Sequence, residues 1–144
     1  MLANGVAITA NPFFDRRPGV FVNVQTREGS VTGARGNEIP EQYLVYTWRE
    51  EDAPELLSRS SLTNGAPILE LPDLLTLTNQ LERIHERFMQ FYAPNANAVD
   101  VEFLLTRQHR FVFVQARAYR VEYGEGQRYH PPRDTSPTGD GPVR

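Results

Sequence analysis

The sequence predicts an α+β fold in which one long amphipathic helix packs on a mainly antiparallel sheet. Three observations lead there. Short β-prone segments are bounded by Gly, Pro and Asn clusters. One stretch repeats apolar residues at alternating spacings of three and four. Two further β-prone segments are joined by a link that only an antiparallel hairpin can use.

Residues 5–11 read as a short strand, which Pro12 ends because it lacks a donor and restricts the residue before it. A turn cluster over 15–19 leads to a second strand at 20–25, so residues 5–25 form a hairpin or adjacent strands. Gly29, Gly33 and Gly36 punctuate a loop before a third strand at 43–48. Residues 50–67 are polar and interrupted by Pro54, Gly65 and Pro67, which predicts a loop with a short helical turn at 55–58. Between residues 72 and 92, Leu74, Leu77, Leu81, Ile84, Phe88 and Phe91 fall on one helical face. Pro72 suits the first turn, Asp73 the positive end of the dipole, and Pro94 the stop. Residues 99–105 and 111–118 are strands joined across 106–110. Residues 1–123 are thus the folded unit. Residues 124–144, rich in Pro, Gly and charge, are expected to be a disordered tail.

Composition narrows the function. The chain has 144 residues, 40% of them hydrophobic, enough for one domain with a core. Its formal charge of −3 disfavours nucleic acid and anionic membranes. That charge also weighs against RNA stacking on the Arg- and aromatic-rich strand at 110–120. No apolar run reaches the roughly 18 residues that span a bilayer, and there is no secretory leader or cysteine, so a cytoplasmic protein is expected. All 15 basic residues are Arg, so no lysine of this chain can grip phosphate or form a Schiff base. His85 on the helix, His109 at the hairpin tip and His130 in the tail read as ordinary packed or surface residues.

The final hairpin carries the most chemistry. If it is centred near Gln108, facing residues have numbers summing to about 217. Glu102 then faces Gln115, and Asp100 faces Arg117. Carboxylate and amide oxygens suit a hard cation such as Mg²⁺, and a guanidinium suits phosphoryl oxygens. The same four side chains also fit an exposed hairpin face with ordinary cross-strand pairs.

A resemblance favours the first reading. Asp100-Val-Glu-Phe103 and Val114-Gln-Ala-Arg117 resemble the Asp-Ile-Glu-Trp and Leu-Gln-Ala-Arg-Pro segments of the phosphoenolpyruvate synthase and pyruvate phosphate dikinase family. The stretch from Gly5 to Pro12 is similar to that family's Gly-Val-Met-Phe-Thr-x-Asn-Pro strand. Val22-Asn23, the Glu28 to Gly33 loop and Pro40-Glu-Gln-Tyr43 follow in the family's order, so the resemblance runs from Gly5 to Arg117. It implies the C-terminal part of an ATP-grasp domain that binds ATP and Mg²⁺. It assigns Glu102, Gln115 and Asp100 to the metal, Gln115, Arg117 and Glu28 to the nucleotide, and Arg117 to catalysis. The family phosphorylates a histidine on a separate domain, which passes the phosphoryl group to pyruvate. The implied partners are therefore an N-terminal ATP-grasp half and a phosphohistidine domain on another chain or segment.

The sequence departs from that family in three places, one of them the hairpin link at 106–110, which lacks the family's usual glycine turn. Gln25-Thr-Arg27 stands where the family has Gly-Leu-Gly, and Ala118 where it has Pro. The expectation is a Mg-ATP-binding segment that is incomplete as a catalyst alone. The alternative is a non-catalytic remnant that serves as a structural or protein-interaction domain.

Overall fold

Strand β1 (Ala3–Ile8) lies at the middle of the sheet, between two antiparallel neighbours. The computed structural model describes residues 2–13, 18–26, 38–47 and 53–122. Within them β2 is Gly19–Thr26, β3 Glu41–Tyr46 and β4 Glu55–Ser58. Helix α1 follows at Leu71–Tyr92, then β5 at Ala98–Leu105 and β6 at Phe111–Tyr119. The six strands run in the order β4-β3-β2-β1-β5-β6, every pair antiparallel. The chain is therefore an α+β protein with one helix and one sheet among the described residues.

Strand alternation gives the sheet two faces. On the first, Val20, Val22, Val24, Val99, Val101, Phe103 and Leu105 pack with Leu74, Leu77 and Leu81 of α1. Burying these apolar groups is the main source of stability, at roughly 25 cal/mol per Å². The helical face expected from the spacing holds through Ile84 and Phe88 but not to its end. Phe91 is 68% exposed, its ring 5.3 Å from the Arg87 guanidinium. Met89 packs against the core instead. The helix opens with Asp73, whose carboxylate accepts the Glu70 N–H at 3.0 Å. It closes at Ala93, which Pro94 holds in an extended conformation.

On the second face Ile8, Phe21, Leu44, Tyr46, Ala98, Tyr119 and Val121 form a smaller cluster at one end of the sheet. Phe13 closes it, edge-on to Phe21 at 5.3 Å.

One local expectation is corrected. Residues 55–58 are not a helical turn but strand β4, with Leu56 opposite Tyr43 and Glu55 opposite Leu44. Four residues carry little helical preference, and the open edge of β3 offers a ladder that fixes them. The tail at 124–144 and the glycine-punctuated loop lie outside the described residues. No helix among the described residues is long and apolar enough to cross a membrane.

Candidate functional site

The β5–β6 hairpin turns through Thr106 and Arg110, with Thr106 N–H donating to Arg110 O at 2.9 Å. His109 takes the left-handed conformation there, at φ 58°. Its Nδ1 lies 3.2 Å from Asp73 Oδ1, so the hairpin tip is tied to the start of α1. Away from the tip the register is the one the residue sum of 217 predicts. Asp100 faces Arg117 and Glu102 faces Gln115. Nearer the tip the sum falls to 216, because the register shifts between Glu102 and Phe103 and leaves Val114 as an extra residue on β6.

These four side chains share the second sheet face, opposite the helix. Asp100 is buried, and its Oδ2 accepts from Arg117 Nε at 3.1 Å and lies 3.0 Å from Nη2. The guanidinium of Arg117 therefore leans toward β5. Glu102 is half-buried and Gln115 exposed. Among the described residues neither has a hydrogen-bond or ion-pair partner. Glu28, expected at the nucleotide, lies outside the described residues.

The pairing continues across the sheet. Glu102 is opposite Val6, Val6 opposite Asn23, and Asn23 opposite Gln42. Gln42 Nε2 donates to Asn23 Oδ1 at 2.5 Å, and Ser58 Oγ to Gln42 Oε1 at 3.2 Å. A polar row thus crosses the open face from β6 to β4, broken only by Val6. Alternation along β2 and β3 could have placed Asn23 and Gln42 beside Glu102 from sequence. What the sequence lacks is the strand order that makes them neighbours.

Gln25 stands where the resembled family has its first loop glycine. Its side chain is fully buried: Nε2 donates to Ile39 O at 3.0 Å, and Oε1 accepts from Thr26 N and Ser60 Oγ at 3.0 and 2.5 Å. Here the side chain closes the sheet onto the segments around residues 39 and 60.

A metal is implied by the resemblance, and the donor set bears on it. No three His, Asp or Glu groups among the described residues converge to hold an ion. Glu102 and Gln115, register partners on one face, would supply a carboxylate and an amide oxygen, with Asp100 engaged by Arg117. That set fits Mg²⁺, which is commonly held by one or two carboxylates together with substrate phosphates and water.

A second polar contact joins the faces of helix and sheet. Val99 N–H donates to Thr9 Oγ1 at 2.8 Å, and the same hydroxyl is hydrogen-bonded to His85 Nδ1, also at 2.8 Å. Burial holds the His85 pKa below the usual 6.5, against a weaker opposing pull from Glu86. The folded chain therefore prefers neutral His85, and the unfolded chain takes up the proton first. Stability due to this group is complete above pH 6.5 and is lost as pH falls through the folded pKa. In urea titrations between about pH 8 and pH 5, the midpoint should fall with acid less steeply in His85→Gln than in the wild type. Equal slopes would place the acid sensitivity elsewhere.

The fold and site together define an α+β protein with one helix among the described residues and a polar row on the open sheet face. No family model matches the chain, and a search of curated proteins finds no match.

Proposed function

We propose that the chain is a cytoplasmic Mg-ATP-binding segment of a phosphotransferase related to the phosphoenolpyruvate synthase and pyruvate phosphate dikinase family, incomplete as a catalyst alone. The observation that supports it best is the placement of Glu102 and Gln115 side by side beside Arg117, on the sheet face that α1 leaves open. Glu102 and Gln115 would hold the cation, which neutralises phosphate charge when bound. Arg117 would turn its remaining N–H groups to phosphoryl oxygens, with Asp100 fixing the plane of the guanidinium. The nucleotide needs a second wall, which an N-terminal ATP-grasp half would supply, and the phosphoryl group needs a histidine acceptor on another domain or chain.

A non-catalytic structural or interaction domain is favoured by two specific observations. Gln25 fills with bonded side chain a place where the family's glycine lets backbone approach phosphate. Asp100 already occupies Arg117.

Thermal unfolding with and without Mg-ATP separates the two. Nucleotide at about 100 times its dissociation constant should stabilise by roughly 2.7 kcal/mol, a shift of several degrees at this size. Glu102→Gln and Arg117→Ala, each compared with its own ligand-free melt, should lose that shift. A wild type that does not respond at millimolar Mg-ATP, even with a candidate N-terminal half added, would leave the non-catalytic reading standing.

A further inference from the structure

The two edges of the sheet are unlike. Edge strand β4 is four residues long and follows Pro54, features that discourage another strand from pairing. Edge strand β6 is nine residues long, and among the described residues it has a neighbour only in β5. It contains neither Pro nor acidic residues, and Val112 and Val114 on it are 47% and 58% exposed. Antiparallel alternation from the Thr106–Arg110 closing bond aims the backbone groups of Val112 at β5. Those of Phe111 and Phe113 then point away from it, to the open side. The donors and acceptors nearest the tip that have no strand partner among the described residues therefore lie in a short apolar stretch.

Charge says what could cover it. From Arg107 to Val121 there is no Asp or Glu, although the chain as a whole carries −3. Arg107 and Arg110 are exposed, and among the described residues neither guanidinium is paired. Arg120 at the other end is partly engaged, donating to Pro94 O at 2.8 Å and to Glu122 at 3.2 Å. The free positive charge thus sits at the hairpin tip, next to the exposed valines.

We propose that the tip half of β6 is a docking edge for an extended peptide of another protein, which adds as a seventh strand beside Phe111 and Phe113. Its backbone pairs with those two residues, its apolar side chains cover Val112, and acidic side chains at the end that passes the hairpin tip meet Arg107 and Arg110. The bulge at Val114 limits the added ladder to the tip side. This surface adjoins Gln115 but includes none of the residues assigned to Mg-ATP, so the proposal does not rest on nucleotide binding.

The test uses the full chain and a fluorescein-labelled peptide of about eight residues, valine-rich along its length and ending in aspartate and glutamate. Anisotropy should rise with protein concentration, and the rise should weaken with added salt. A peptide methylated at alternate amide nitrogens, so that one edge cannot donate, should bind at least about tenfold more weakly. The Arg107→Glu, Arg110→Glu double variant should lose the acidic peptide and gain one in which lysine replaces the acids. Val112→Lys should weaken both while leaving the melting temperature close to wild type, since the side chain is already exposed. Equal binding of the methylated peptide, or no rise at millimolar protein, would overturn the assignment. So would a dimer seen by sedimentation that Val114→Lys dissolves, because the strand would then be pairing with a copy of itself.

Discussion

Glu41→Ala should destabilise the fold by about 3–5 kcal/mol, a loss large against the 5–15 kcal/mol typical of a domain. Glu41 is fully buried on β3. Its Oε1 accepts from Ile68 N at 3.1 Å and Leu69 N at 2.9 Å, and its Oε2 from Ile68 N at 2.9 Å. Arg59 lies 3.6 Å from Oε2 and balances the charge. The carboxylate therefore holds the segment that leads into α1, and removing it orphans two buried N–H groups beside Leu69. Glu41→Gln keeps one acceptor oxygen and should cost clearly less. Equilibrium urea unfolding gives both values. Tyr43 supplies an independent reading. Burial first, and Glu41 second, push its phenol up to about 12 from the usual 10. In Glu41→Gln its absorbance titration should move down, part of the way toward 10. Because the folded pKa is raised, stability due to the neutral phenol is complete below pH 10 and is lost as pH rises through about 12. A Glu41→Ala chain as stable as the wild type would show that Ile68 and Leu69 find other acceptors.

The elements most legible in the sequence were those whose signal is local and long. Helix α1 follows from a repeat carried over five turns, and the hairpin register from a five-residue link. The pairing of Asp100 with Arg117 and of Glu102 with Gln115 needed only that register and the alternation of side chains. The strand at Glu55–Ser58 was hidden because its only support is the neighbouring edge of β3. Phe91 fits the repeat of the core face, but the sheet no longer covers the helix at its last turn. The polar row through Asn23 and Gln42 depends on β1 pairing with both β2 and β5, a long-range choice that no window of residues records. Glu41 was legible only as part of a motif. Its structural role comes from bonds to residues 27 and 28 positions away. The roles of Glu102, Gln115, Asp100 and Arg117 toward Mg-ATP rest on the resemblance together with their shared face.

Gly5→Ala should cost about 3 kcal/mol, although it adds only one methyl group to a residue on a regular strand. Gly5 lies on β1 between Val24 of β2 and Phe103 of β5, on the helix-covered face. A Cβ there would meet the Phe103 ring and would lie 2.7 Å from the backbone oxygen of Asn23. The backbone cannot yield without opening the β1–β2 ladder. The ring has little room either: Phe103 is 1% exposed and rests edge-on against Phe111 at 5.6 Å. Shortening the ring in Phe103→Leu should therefore reduce the cost of Gly5→Ala by about 1 kcal/mol in a double-mutant cycle, while the contact with Asn23 keeps the remainder. Additive costs in that cycle would mean that the backbone contact alone decides the matter. The effect should also reach the open face, because Glu102 is the neighbour of Phe103 on β5 and sits where the register shifts. If Glu102 contributes to nucleotide binding, Gly5→Ala should diminish the Mg-ATP-induced stabilisation with every polar side chain of the site intact. The glycine is then a spacer that sets how closely two central strands approach, and through that spacing where the carboxylate stands.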